Sequence, residues 1–288
     1  MTVRIVTDST ADLPAEIIEA YSIIVMPLYI NIGDKSYLDG VDLSRQAFYD
    51  GLPSYPVAPT TAAPPPDHFR ETYEQLLAEG ATGVLSIHIS ATLSSTMNAA
   101  RMGAEALITD SPEAPVKVLD ARQLSLGTGF AVETAAKAAQ NGLGMDEIID
   151  IVAEQIGRTQ VFAALDTMEY LRRSGRVNWI VGRLGDVLQI KPILRMVDGA
   201  AGGERVRTCA QARARIIELL KEQAPLERAA LVHSHAPERA EELRRECADV
   251  LEGLDVPSVD ITPVLGAHIG PGALGFACVS KRAPNDRR

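Results

Sequence analysis

The chain is poor in cysteine. Cys209, Cys247 and Cys278 are its only three in 288 residues. Their odd number and the lack of C-x-x-C spacing exclude a disulfide framework and a cysteine zinc site, leaving reduced, structural thiols. No apolar run reaches the ~18–20 residues needed to span a bilayer, and the sequence opens directly on the strand-like Val3-Arg4-Ile5-Val6, so a cytoplasmic protein is expected. An excess of basic charge is also missing: a formal net charge of −10 argues against nucleic acid as a general partner. There is no G-x-x-x-x-G-K-[ST] loop, no G-x-G-x-x-G after a strand and no G-x-S-x-G elbow, which removes the commonest nucleotide-binding and serine-hydrolase signatures. Internal repeats are absent. What remains, 46% hydrophobic and 23% charged residues, is an ordinary globular composition, long enough for about two domains.

The first half of the sequence repeats one grammar: an apolar run, a polar end, then a helix. Val3 to Thr7 ends in Asp8-Ser9-Thr10, with Asp12 as the expected cap of a helix carrying Ile17, Ile18 and Tyr21. Ile23 to Ile32 is a strand broken by Pro27, and Asn31 to Lys35 a tight turn. Ser44 caps a helix to about Asp50. Pro53 to Pro66 holds six prolines and reads as a stiff extended loop bearing Thr60 and Thr61. After a helix over 67–79, Val84 to Ile89 is a buried-type strand that hands over, through Ser90, Thr92, Ser94, Ser95 and Thr96, to a helix from Met97. A further strand (116–119) ends at Asp120, and Ser125 precedes an Ala-rich helix. Continuous apolar strands joined by crossovers predict a parallel sheet covered on both faces, with ligands beyond the strands' carboxyl ends. Asp8-Ser9, Ser90 to Thr96 and Asp120 to Ser125 all fall there.

Beyond about residue 157 the pattern mixes hairpins and helices: a strand at 161–165, a short helix at 167–173, a hairpin over 190–208 turning at Asp198-Gly199, helices at 210–221 and 237–251, and strands at 229–233, 258–264 and 273–279. The prediction is an α/β protein: an N-terminal parallel-sheet α/β domain, residues 1–157, then a C-terminal α+β domain with a mixed or antiparallel sheet, residues 158–288, and a ligand between them.

Chemistry concentrates in two places. The turn from Ser90 to Thr96 combines hydroxyls with the unpaired amides of a helix start, which suits an anion as well as simple capping. His268 lies in Gly266-Ala267-His268-Ile269-Gly270-Pro271-Gly272, read as a glycine-rich loop between strands where backbone can approach a ligand. Hydroxyls plus one imidazole naturally hold a carboxylate. Ser95, Ser125 and Gly270 are candidates for the same ligand. His233 and His235 lack a third ligand, so no metal site is expected. His88 reads as a satisfied buried residue and His68 as helix surface. A nucleophile–base pair of Ser94 with His268 is the competing, enzymatic interpretation. Between Arg172 and Arg195, six basic residues (Arg172, Arg173, Arg176, Arg183, Lys191, Arg195) face Asp186 alone, an island that is either solvated surface or a place to meet a phosphate or an acidic partner.

Several of these segments together resemble one family. Asp8-Ser9-Thr10-Ala11-Asp12-Leu13-Pro14, Tyr37 to Asp42, Phe48-Tyr49, Thr61 with Pro64 and Pro66, Ile89-Ser90-x-x-Leu93-Ser94-x-Thr96, Leu171-x-x-x-Gly175-Arg176, Ile190 to Leu194 and His268-x-Gly270-Pro271-Gly272 run in order along nearly the whole chain. By these the chain resembles the DegV family, fatty-acid-binding subunits of bacterial fatty acid kinase. The resemblance implies a lipid-binding protein that is not itself an enzyme, with one long-chain fatty acid between two domains as ligand and no cofactor. It implies that Thr61, Ser94 and His268 hold the carboxylate and that the acyl chain enters an apolar tunnel. It also implies a separate ATP-dependent kinase subunit that converts the carboxylate to acyl phosphate for phospholipid synthesis, facing Arg172, Arg173 and Arg176; a lipid carrier without a kinase partner is the alternative that differs only in its partner. This chain has Ala62-Ala63 where the family usually has Ser-Gln, Ser95 where it usually has Gly, and Ser174 where it usually has Gly.

Overall fold

A computed structural model describes residues 2–176 and 190–282. Arg183 and Asp186 of the basic island lie outside the described residues. The elements run β1 (Val3–Asp8), α1 (Ala15–Ala20), β2 (Ile24–Met26), β3 (Tyr29–Ile32), β4 (Lys35–Leu38), α2 (Arg45–Gly51), β5 (Thr60–Ala62), α3 (Pro66–Ala78), β6 (Gly83–His88), α4 (Thr96–Asp110), β7 (Val116–Asp120), α5 (Leu126–Gln140) and α6 (Met145–Arg158). There follow β8 (Thr159–Ala164), α7 (Glu169–Arg173), β9 (Lys191–Val197), β10 (Ala200–Val206), α8 (Cys209–Gln223), β11 (Leu226–His233), α9 (Pro237–Glu246), α10 (Ala248–Leu251), β12 (Ser258–Asp260), α11 (Pro263–Ile269) and β13 (Leu274–Ser280).

The fold class is α/β, as expected. A parallel sheet orders its strands β2-β1-β6-β7, with helices on both faces. The two-residue period of the strands sorts its side chains. Val3, Ile5, Leu85 and Ile87 face α5 and α6, whereas Val6 and Val84 face α3 and α4 with Phe69, Tyr73 and Ala100. A second, mixed sheet orders β10-β9-β8-β13-β11-β12, antiparallel except for the β11–β12 pair. One of its faces is closed by α8 and α9 through Ile216, Leu219, Leu220 and Leu243. The other, through Val161, Ala230, Val232, Ala277 and Val279, packs on Leu126 and Phe130 of α5, on Ile89 and Leu93, and on Leu265 and Ile269 of α11. The apolar cluster between the sheets therefore reaches the β6–α4 turn.

A small antiparallel sheet, β4-β3-β5, is the part the sequence concealed. The proline-rich stretch is not wholly irregular: Thr60–Ala62 falls between its prolines and pairs with Tyr29–Asn31, and Pro66 opens α3, where a missing N–H costs nothing. Further expectations are corrected. Asp12 does not cap α1; it sits at φ 54 after a short 3₁₀ turn and is buried, while Pro14 precedes the helix. The strand expected over 258–264 ends at Asp260, because Pro263 fixes a helical φ at the first turn of α11. His268 consequently belongs to the last turn of a helix, and Gly270, at φ 75, ends it. The helix over 237–251 is interrupted at Cys247. Helix α2 is capped as expected, Ser44 Oγ accepting the Ala47 N–H at 3.2 Å.

Candidate functional site

Three segments that are far apart in sequence meet over one cavity of about 400 Å3. Strand β5 brings Thr61, the β6–α4 turn brings Ile89 and residues 91–95, and α11 brings Val264, Leu265 and His268; Arg176 completes the wall. The small sheet is there because α2 and β3 bury Leu28, Ile30, Phe48 and Tyr49 against Val264 and Ala267 of α11. That packing carries Thr61 to the imidazole: Thr61 Oγ1 and His268 Nε2 are 3.0 Å apart.

His268 is 5% exposed. Burial, aided by the nearby Arg176 guanidinium, pushes its pKa down to about 3, so the ring is neutral at neutral pH. A neutral imidazole has one N–H to donate and one nitrogen that accepts. Among the described residues, the positive charge on this wall is that of Arg176. Ser94, half-buried, has its hydroxyl 2.8 Å from Thr96 Oγ1, and its Oγ accepts the N–H of Thr96, the first residue of α4, at 3.2 Å. Of the hydroxyls in this turn, Thr92, Ser94 and Ser95 line the cavity. Ser90 does not; it is fully buried and serves as a turn support.

Thr61, Ser94, Ser95 and His268 are thus brought together, and two other candidates are not. Ser125 is fully buried and donates to Asp12 Oδ2 at 2.6 Å, which occupies its hydroxyl away from the cavity. Gly270 closes α11 against Tyr170, where a Cβ would stand 2.2 Å from the ring, and its carbonyl accepts from Ser234 Oγ; its role is packing. Arg176 turns inward to the cavity wall, whereas Arg172 and Arg173 are exposed on α7, Arg173 pairing with Glu169. Thr10, Leu28, Ala62, Ala63, Asn98 and Leu265 line the cavity without having been singled out. Thr10, in the motif that follows β1, and Ala62-Ala63, adjoining Thr61, carried signals that could have found them.

His88 has the buried, satisfied environment expected of it. Its Nδ1 lies 2.8 Å from Asp8 Oδ2 and its Nε2 2.7 Å from Ser86 Oγ, to which Tyr73 donates at 2.8 Å. The order Ser–His–Asp is superficially that of a hydrolase, but all three side chains are fully buried. Asp8 also accepts the Ile89 N–H at 3.1 Å. Hydrogen bonding to His88 and Thr10 outweighs burial and holds its carboxyl below the usual range. This network fixes the end of β6 next to the cavity. At the cavity itself His268 pairs with Thr61 and Ser94 with Thr96, so Ser94 is not the hydroxyl on the imidazole.

The family model for DegV, described as "Uncharacterised protein, DegV family", matches residues 2–281. A DegV domain-containing protein of Streptomyces coelicolor is 36% identical over 285 residues, covering 97% of this chain and 99% of the relative. Among solved structures, DegV of Bacillus subtilis, described as a fatty acid binding protein, superposes with a TM-score of 0.85 at 29% identity over 97% of this chain and 100% of that one. A fatty acid binding DegV family protein of Streptococcus agalactiae gives 0.86 at 29% identity over 98% of this chain and 100% of that chain.

Proposed function

This chain belongs to the DegV family, and on that premise we propose that it binds one long-chain fatty acid and presents the carboxylate to a separate ATP-dependent kinase. The observation that carries the reading is the meeting of Thr61, Ser94, His268 and Arg176 on one cavity whose apolar wall, Ile89, Leu93 and Leu265, is continuous with the cluster between the sheets. The head of the ligand then meets two hydroxyls, an imidazole N–H and a guanidinium, and its tail has an apolar interior to enter. A buried carboxylate left unpaired would cost several kcal/mol, and charge-assisted hydrogen bonds remove that penalty. Burying about 14 methylenes at ~0.8 kcal/mol each gives a gross gain on the order of 11 kcal/mol, before ordering costs are subtracted.

In this reading the lobes 1–157 and 158–288 hold the ligand between them, and no cofactor is needed. The kinase partner transfers the terminal phosphoryl group of ATP to a carboxylate oxygen, releasing ADP, and the acyl phosphate serves phospholipid synthesis. Arg172 and Arg173, exposed one turn before Arg176, supply the basic surface for that partner. Mass spectrometry of ligand extracted from the purified protein tests the lipid half of the proposal. A long-chain fatty acid at about one per chain is expected, and an acyl group covalently attached to Ser94 would return the acyl-transfer reading.

A further inference from the structure

The tip of the β9–β10 hairpin reaches across from the mixed sheet to the turn that carries Ser94. Its residues Asp198 and Gly199 have φ of 50° and 84°, and Gly199 is buried. Both of their carbonyls are held. Arg122 Nη2 donates to Asp198 O at 2.8 Å; Thr92 Oγ1 donates to Gly199 O at 2.8 Å, and Ser90 Oγ donates to the same oxygen. Arg122 is itself at φ 54, its N–H donating to Asp120 Oδ1 at 2.7 Å, and Asp120 Oδ2 accepts from Ala91 N at 3.3 Å. Positive φ at Asp198 and Gly199 is what a two-residue hairpin turn requires, so of the three residues that meet here only Arg122 is in a conformation its local turn does not explain.

Ser90 is the hub through which this contact reaches the cavity. Its N–H donates to Gln123 O at 2.9 Å, its Oγ accepts Thr92 N–H at 3.3 Å, and its carbonyl accepts the N–H groups of Leu93 and Ser94 at 2.9 and 3.2 Å. Ser94 therefore hangs from Ser90, and Ser90 from Gly199. Capping does not account for this arrangement, because the Ser90 and Thr92 hydroxyls point to another element more than a hundred residues away. A hydroxyl pair on one shared carbonyl fixes both the height and the rotation of the turn.

We infer that Ser90 and Thr92, clamped on Gly199 O, are positioning residues that set Ser94 at the height where it meets a ligand carboxylate, so that carboxylate capture depends on the docking of the mixed sheet. The inference rests on the fatty-acid reading and adds to it a mechanical link from the hairpin to the head-group site. Thr92→Val removes the hydroxyl at nearly constant shape, Thr92→Ser restores it, and Gly199→Ala disturbs the tip from outside the cavity, where a Cβ at φ 84 would stand 3.0 Å from Arg122 Nε.

Each variant is titrated with hexadecanoic acid and with 1-hexadecanol, which shares the tail but has no carboxylate. Thr92→Val and Gly199→Ala are expected to weaken the acid about two- to tenfold, the worth of one neutral hydrogen bond. The alcohol should bind as to wild type, and Thr92→Ser should recover the acid. Acid affinity unchanged in both variants, or equal loss of acid and alcohol, overturns the link while wild-type preference for the acid leaves the ligand reading standing. A wild-type protein indifferent between acid and alcohol overturns that reading, and the link with it.

Discussion

Removing the Ser94 hydroxyl should separate binding from stability, because that one oxygen serves two purposes. It faces the cavity, and it accepts the Thr96 N–H at the start of α4. In Ser94→Ala the first loss is one hydrogen bond to a charged group, worth about 1.5–3 kcal/mol, which weakens fatty-acid binding roughly 10- to 150-fold. The second is the acceptor of the first α4 amide, worth about 1 kcal/mol, and Thr96, fully buried, loses its hydroxyl partner at the same time. For a chain of this size a loss of that order lowers the melting temperature by about 2–4 °C, so the variant stays folded at 25 °C. Isothermal titration with a long-chain fatty acid measures the first effect, and thermal unfolding without ligand measures the second. A variant that binds the acid within twofold of wild type would refute the placement of Ser94 against the carboxylate, whatever happens to the melting temperature.

The buried imidazole gives a pH prediction. His268 has its pKa pushed down to about 3, so between that value and its ordinary 6.5 the unfolded chain takes up the proton that the folded chain refuses. Its contribution to stability is complete above about pH 6.5 and is lost as pH falls towards 3; His268→Gln should flatten that part of the acid limb in a denaturant series, and an unaltered slope would contradict it. The surface arginines give a functional one. Arg172→Glu with Arg173→Glu should leave fatty-acid affinity within about twofold of wild type, since both side chains are exposed on α7 outside the cavity wall. Acyl phosphate production with the kinase partner should fall at least tenfold, a loss of electrostatic attraction that added salt would mimic. Full turnover in that double variant would remove α7 from the partner surface.

Much of the parallel half was legible because its strands are continuous apolar runs with polar ends, whereas the order β2-β1-β6-β7 is known only from the structure. The errors have local causes. Ile261-Thr262-Pro263-Val264 prolongs a β-branched pattern past β12, but Pro263 can only begin a helix there, so a histidine placed in a loop sits on α11 instead. Thr60–Ala62 hid as a strand because prolines surround it; the three residues between them are enough to pair with β3. Asp12 looked like a cap and is instead a buried acceptor for Ser125, Thr262 and Arg45. Burial raises its pKa to about 6 in spite of those donors. The same bond explains why Ser125, on the expected edge of the sheet, is not at the cavity. The hydroxyl turn and His268 could be picked out as chemistry from residue type and motif. Their meeting could not, since it depends on the small sheet packing its apolar face on α11.

Native mass spectrometry of the purified protein, followed by identification of what it releases on denaturation, tests the ligand most directly. One non-covalent long-chain fatty acid per chain is predicted, with occupancy reduced in Ser94→Ala. A chain that carries no acyl ligand and takes none up from an added fatty-acid mixture would contradict the proposed function.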